Sequence, residues 1–337
     1  MTSTLTPRDG IERGYAAPGD DLVAVRQEAI TDGAARGSRT ITVQPAGGLT
    51  TRILLDRGMD LGGAWYAGQP VAWRSAVGES GPGRVDSAGG WLDQWEGGLL
   101  TTCGLRNVGF PSEGHGQHGS FTDLRAREVS VTRRWLEDGH AAVEITGTLD
   151  DASSLGSYLR LRRRITLRSG AGAVTVEDVT TNLGPEPEQA PILYHVNFGF
   201  PFLGPGSEYR IPGVTRSTAD GHEVPLSRWQ RMGDACVGGS DRIVEHDLAA
   251  GSGGLAQLTG PSSGLVADVT WDRTTMPRLH TWQRTQRGSF VASVEPANCG
   301  LGGREADRAD GRAPVLEPGA ERLTRIEVTI RPEQPTG

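Results

Sequence analysis

The sequence predicts an all-β, mostly antiparallel fold, and three observations carry that prediction. Segments in which apolar residues recur at every second position appear from one end of the chain to the other, whereas helical periods are scarce. Glycine and proline, 49 and 20 of 337 residues, supply turns at a density that suits many short strands. No linker separates two compositionally distinct halves and no repeat of fixed period is visible, so residues 21–332 read as one large β domain.

Taken in order, residues 1–20 are polar, contain Pro and Gly, and read as a loose N-terminal arm. Strand-like pieces follow at Leu22–Ile30, Arg39–Val43, Thr51–Leu55 and Pro70–Trp73, with turns such as Thr31-Asp-Gly33 and Ala46-Gly-Gly48 between them. Residues 75–90 read as an exposed loop. Trp91, Leu92 and Trp95 share one face of a short helix that Gly97-Gly98 would stop. The stretch Thr101–Gly119 is rich in Gly and His and has no clear period. From residue 126 onward the pattern is plainly β: Ala141–Leu149, Tyr158–Leu167, Ala173–Thr180 and Ile192–Phe200 follow one another. In the second of these, Leu159, Leu161, Ile165 and Leu167 keep one face, while Arg160, Arg162 and Arg164 face water. Residues 201–255 are weakly patterned, Leu265–Trp271 alternates again, Leu301–Pro318 is polar and mobile-looking, and Leu323–Ile330 is a closing strand.

Composition excludes several classes of function. A net charge of −7 offers no global field for DNA or RNA. Cys103, Cys236 and Cys299 are widely spaced and odd in number, so neither a disulfide framework nor a zinc ribbon is indicated. No secretory signal and no apolar run near the ~20 residues needed to span a bilayer is visible, which makes a soluble, cytoplasmic protein without membrane partners the expectation. Nucleotide-binding glycine loops, Gly-x-Ser-x-Gly and His-Glu-x-x-His are absent.

The residues that could carry chemistry lie on stiff strands. In Ile192–Phe200 one face is Ile192, Tyr194, Val196, Phe198 and Phe200, and the other presents His195 and Asn197. In Phe290–Glu295, Phe290, Ala292 and Val294 fill one face while Ser293 and Glu295 share the other. An imidazole and a carboxylate held this way are the parts of an acid/base pair. The loop Gly114-His115-Gly-Gln-His118-Gly119 lets backbone approach a ligand and would present His118. His280 and Trp282 fall on a neighbouring strand. Eight tryptophans against six phenylalanines supply indole faces suited to sugar rings, with three or four expected in the core. Each of these features also has a purely structural explanation: a satisfied buried imidazole, a carboxylate paired with arginine, an exposed glycine turn.

Together Asp56-Arg-Gly-Met-Asp-Leu61, Gly97-Gly-Leu-Leu-Thr-Thr-Cys-Gly-Leu105 with Asn107, His118-Gly119, Tyr194-His-Val-Asn-Phe-Gly199 and Val294-Glu-Pro296 resemble the aldose 1-epimerase (galactose mutarotase-like) superfamily, in a poorly characterised bacterial branch. The resemblance spans residues 55–298. It implies a β-supersandwich with an open sugar cleft, a small-molecule sugar substrate, and no metal or cofactor. It also implies that His195 acts as general acid, that Glu295 acts as general base, and that His118 binds or polarises the sugar. Arg57, Asn107, Asn197, His280 and Trp282 are then expected as further substrate contacts. The Asn-Arg segment of true galactose mutarotases is missing, with Arg57 in its place, and Pro-Ala-Asn-Cys follows the glutamate where they carry Gln-x-x-Pro-Asp, so sugar specificity does not carry over. Two alternatives accompany this expectation. One is a metal-dependent sugar isomerase or epimerase ligating through His118, His195, His280 and Glu295; the other is a non-catalytic sugar-binding protein.

Overall fold

Strands dominate the computed structural model, which describes residues 6–15, 22–83, 90–239 and 241–334. The larger sheet has 12 strands, running Val23–Ala29, Arg39–Pro45, Leu49–Leu54, Asp60–Tyr66, Leu100–Gly104, Ile192–Gly199, Ser289–Ala297, Arg278–Gln286, Asp241–Leu248, Val214–Ala219 and His222–Glu223, with Gln69–Pro70 paired onto Asp60–Tyr66. The second sheet has 8 strands, among them Leu265–Trp271, Glu321–Pro332, Ala173–Asn182, Tyr158–Arg168 and Ala141–Ala152 in adjacent order. The pairings between these strands are antiparallel, as the alternation predicts. Between the sheets lies one apolar core, to which Ile192, Tyr194, Val196 and Phe198 contribute from the first and Leu159, Leu161, Ile165, Val176, Ile326 and Val328 from the second. Each such side chain contributes roughly 1.5–3 kcal/mol by leaving water.

One charged group interrupts that core. Arg163 sits at the inward parity of its strand, between Leu161 and Ile165, and its side chain is fully buried. Its guanidinium meets Asp178 at 2.7 Å on the second sheet and Asp60 at 2.9 Å on the first, and donates to Thr102 Oγ1 at 2.8 Å and Gly58 O at 2.9 Å. Asp178 in turn accepts from the Tyr194 hydroxyl at 2.5 Å, and that hydroxyl also meets Thr324 Oγ1 at 2.7 Å. Burial holds Asp60 up to about 6, against the pull of Arg163 and the hydrogen bonds from Thr102. Tyr194 is the residue before His195, so this network clamps from below the strand that carries His195 above.

Several expectations are revised. Within the supposed loose arm, Pro7–Glu12 forms a short helix whose Thr6 cap and Asp9 satisfy each other's backbone amides; residues 1–5 and 16–21 lie outside the described residues. The Ile192 strand ends at Gly199, and Phe200 is 77% exposed, because the following Pro201 lacks the amide needed to continue the ladder. The weakly patterned region 201–255 contains the strands Glu208–Arg210, Val214–Ala219, His222–Glu223 and Asp241–Leu248. The segment at 301–318 holds a helix, Arg304–Ala309, tied down by Arg304 to Glu188 at 2.7 Å. The Trp91 turn is a 3₁₀ helix, Gly90–Asp93, and the start of Thr101–Gly119 belongs to the strand Leu100–Gly104. In the loop 75–90, Ser80 is buried, and residues 84–89 lie outside the described residues.

Replacing Arg163 with leucine leaves two carboxylates buried without their cation. Urea unfolding of Arg163→Leu is expected to show a loss of about 3–5 kcal/mol relative to the unmodified protein; a change under 1 kcal/mol would mean the network is dispensable.

Candidate active site

Antiparallel register builds the site directly. Leu193↔Ala297 and Val196↔Val294 place His195 opposite Glu295; His280 pairs with Glu295, Glu245 with His280, and Thr218 with Glu245. On the other flank His195 pairs with Thr101. Directly opposed residues project from the same face of a sheet, so Thr101, His195, Glu295, His280, Glu245 and Thr218 form one polar row across six strands. The alternate residues of these strands, Tyr194, Val196, Val294, Leu279 and Val244, are in the core and hold the row rigid.

His195, Glu295, His280, Glu245 and Thr218 of this row line a cavity of about 430 Å³. Indoles wall one side: Trp91 and Trp95 stack at 4.7 Å between ring centres, and His195 lies 4.9 Å from Trp95 and 5.6 Å from Trp282. Trp95 is fixed by donation from Nε1 to Thr101 Oγ1 at 2.9 Å, and Trp282 by donation to Asp241 at 3.1 Å. Trp73, Trp95, Trp229 and Trp271 are the buried tryptophans; the first two back this wall and the last two belong to the main core.

His195 Nε2 is 3.1 Å from Glu295 Oε1, and the same oxygen accepts from Ser293 Oγ. Both partners are buried, which pushes His195 down to about 3 and Glu295 up from the ordinary carboxylate range. His195 Nδ1 has no hydrogen-bond partner. An orphaned N–H is costlier to bury than an orphaned lone pair, which assigns the imidazole proton to Nε2, facing Glu295. With that N–H in place, one further proton held between Glu295 and His195 leaves the pair uncharged overall in a poorly solvated place.

His118 enters from the loop side. Its backbone is left-handed at φ 56, and Gly119 follows at φ 72, where an added Cβ would stand 2.5 Å from Gly104 O. Gly109 N donates to His118 Nδ1 at 3.3 Å, so the ring carries its proton on Nε2; burial and nearby His195, 6.3 Å away between ring centres, hold it down to about 3. A left-handed histidine costs of order 1–2 kcal/mol and marks a position set by its surroundings.

Of the residues expected from sequence, the structure brings His118, His195, His280, Trp282 and Glu295 to the cavity wall. Arg57, Asn107 and Asn197 are elsewhere. Arg57 is buried beneath the fold, donating to Gly81 O at 3.1 Å and Gln94 O at 3.0 Å with Glu96 3.8 Å away. Asn107 braces the histidine loop by donating to Phe110 O and Gly116 O, each at 2.9 Å. Asn197 donates to Gly98 O at 3.1 Å and His195 O at 2.8 Å, so it fixes the strand and not a ligand. Among the described residues no three of His, Cys, Asp and Glu are grouped closely enough to hold a metal ion, so the set His118, His195, His280 and Glu295 is not assembled as ligands. No helix among them is long and apolar enough to cross a membrane.

Sequence reading missed Glu245, Asp241 and Arg312, which also face the cavity. Glu245 shares the parity of Asp241, Ile243 and Asp247 in Asp241–Leu248, a polar alternation that points to a cavity only once that segment is known to be a strand. Arg312 comes from an irregular segment and leaves no periodic trace.

The Arg57 finding has a direct test. Arg57→Ala is expected to lower the urea unfolding midpoint, with a loss of about 3 kcal/mol from the stranded Glu96 carboxylate; a loss under about 1 kcal/mol would mean that Arg57 is not a structural residue.

Comparison with known proteins bears on the fold. The structure is similar to that of a candidate aldose 1-epimerase from Klebsiella pneumoniae, with TM-score 0.83, 22% identity, and coverage of 92% of this chain and 83% of that one. It is also similar to a galactose mutarotase-like protein from Clostridium acetobutylicum, with TM-score 0.59, 15% identity, and coverage of 93% and 100%. A candidate aldose 1-epimerase from Escherichia coli K12 matches with TM-score 0.56 at 11% identity, over 92% and 100%. At these identities the likeness establishes the fold, a galactose mutarotase-like β-supersandwich. No curated protein matches in sequence. A family profile described as "Domain of unknown function (DUF4432)" matches residues 35–330, most of the chain, and the protein therefore belongs to the DUF4432 family.

Proposed function

We propose that this protein is a carbohydrate mutarotase, interconverting the α and β anomers of a free or modified aldose by acid/base opening of the ring. The observation that carries the reading is the 3.1 Å contact between His195 and Glu295 on the floor of an indole-walled cavity. An aldose presents its anomeric hydroxyl and its ring oxygen on one carbon. Two groups that serve those oxygens at once must themselves be neighbours, as this pair is. Glu295 takes the hydroxyl proton while the proton held by the pair passes through His195 to the ring oxygen. The C1–O5 bond breaks, an open-chain aldehyde forms, rotation about C1–C2 turns the carbonyl, and the reverse transfers close the ring as the other anomer. Proton count is conserved, and the pair returns to its starting state. Trp95 and Trp282 suit the C–H faces of the ring, and His118, with its proton on Nε2, would donate to a sugar oxygen.

The working form is the uncharged pair, which holds one titratable proton beyond the N–H of neutral imidazole, as imidazolium beside carboxylate in exchange with imidazole beside carboxylic acid. In acid, near the value of about 3 to which burial lowers His195, the imidazole takes a second proton and the base is lost. As pH rises through the upper value of the pair, set by a Glu295 raised above ordinary carboxylates, the last shared proton leaves. The pH profile of kcat/KM is therefore expected to fall on both sides; a steady rise with pH would be inconsistent with a shared proton.

The direct test follows the equilibration of freshly dissolved pure anomers by NMR, with and without protein. Glu295→Gln and His195→Asn are each expected to cut turnover by a factor of ~10² or more, and the double variant to do little worse than the poorer single. Near-full activity in Glu295→Gln would remove Glu295 from the base role, and sugar binding with no acceleration by the unmodified protein would favour a binding protein.

A further inference from the structure

Two strands along the row from the acid/base pair, His280 and Glu245 face each other without bonding. Glu245 Oε1 lies 4.0 Å from His280 Nε2, beyond hydrogen-bond reach. Glu245 is not free to close the gap, because Arg278 holds it at 3.0 Å and Arg312 at 3.4 Å. With two guanidiniums on it, its carboxylate is an acceptor only. His280 is 1% exposed and lines the cavity, and its Nδ1 is buried without a partner. The cheaper tautomer again leaves Nδ1 as the orphaned lone pair and puts the proton on Nε2, the nitrogen turned toward Glu245. The gap thus has a fixed N–H donor on one side and a fixed anionic acceptor on the other.

We propose that His280 and Glu245 read a single hydroxyl of the sugar, and that this gap determines which sugars the site accepts; the assignment rests on the mutarotase reading of the cavity. A hydroxyl accepts from His280 Nε2 and donates to Glu245 Oε1 at the same time. An ether, a phosphate oxygen or a carboxylate cannot donate, and an ammonium cannot accept. Burial keeps His280 below the ordinary imidazole value although Glu245 and Glu295 flank it, with Arg278 and Arg312 beyond, and a neutral ring with one N–H is what the arrangement needs. His246 lies on the opposite face of the sheet and is satisfied by Ser217 and Thr281, each at 2.9 Å.

Strands are about 4.8 Å apart, so the gap lies roughly two spacings, near 10 Å, from the acid/base pair at backbone level. The hydroxyl read there is one remote from the anomeric carbon, on the far side of the ring or on a substituent beyond it. A site that buries donor and acceptor around a substrate hydroxyl rejects the analogue lacking it strongly, because both groups are then desolvated and unpaired.

The test uses binding, so that it does not depend on turnover. D-glucose, D-galactose, and their 2-, 3-, 4- and 6-deoxy derivatives are titrated against the full-length Glu295→Gln protein, following tryptophan fluorescence and confirming by calorimetry. One distal deoxy position is expected to weaken binding at least 100-fold, with the 2-deoxy sugar little affected. In Glu295→Gln carrying Glu245→Ala, which removes the acceptor, or His280→Phe, which removes the donor, that ratio is expected to collapse to below about 5-fold. Glu245 lies at a partly exposed rim position, so Glu245→Ala tests the proposal even where His280→Phe does not fold. Equal affinity for all deoxy sugars, or an unchanged ratio in Glu245→Ala, overturns the proposal while leaving the acid/base pair untouched. Failure of every sugar to bind overturns it together with the mutarotase reading. Sugars that bind with this discrimination, but that the unmodified protein does not anomerise, overturn the mutarotase reading alone.

Discussion

The fold depends on the way Arg163 is accommodated between the sheets. A guanidinium placed in an apolar core is tolerated only when every donor is met, and here Asp60 and Thr102 from one sheet, the Gly58 carbonyl from the turn before Asp60, and Asp178 from the other sheet meet it. Because the partners belong to different sheets, the cluster fixes how the sheets sit on each other as well as stabilising either. Apolar packing alone is far less directional, since side chains of similar volume can exchange places at small cost. The Tyr194 hydroxyl joins the cluster through Asp178, so the orientation of the His195 strand is set by hydrogen bonds beneath it.

Above that strand, a single sheet face turns cross-strand register into chemistry. Four ionisable groups, His195, Glu295, His280 and Glu245, stand side by side because antiparallel pairing puts opposed residues on one face. Burial makes His195, Glu295 and His280 expensive as lone charges; His195 contacts Glu295, and the partly exposed Glu245 is held by two arginines. The tryptophans deepen the desolvation on one side of the floor. The same enclosure that costs stability strengthens every polar contact a bound sugar would make. Loops complete what the sheet begins, since Asn107 braces the turn that holds His118 in its left-handed conformation.

How much of this was readable depends on the range of the interactions. Period-two alternation is a local property, so the strands at 141–149, 158–167, 173–180 and 265–271 were legible without knowing any neighbour. His195 and Glu295 stood out for the same reason, as polar residues opposite the packed face of apolar strands. Arg163 carried a different mark, an arginine at the inward parity between Leu161 and Ile165. Arg57 and Asn197 were legible as polar residues in notable segments but not as structural ones, because their partners, the carbonyls of Gly81, Gln94 and Gly98, lie far away in sequence.

By itself, then, the sequence determined the β class, the alternation that divides core from cavity on each strand, and the residue types capable of proton transfer, because all three follow from side chains projecting alternately from a pleated backbone. Tertiary structure alone decided which polar residues meet. His195 and Glu295 are 100 positions apart in the chain, and their 3.1 Å contact, like the 4.0 Å gap between His280 and Glu245, exists only through strand order and register. Strand order is settled by the summed packing of two sheets and one buried arginine network, and a sum over the whole molecule leaves no local trace.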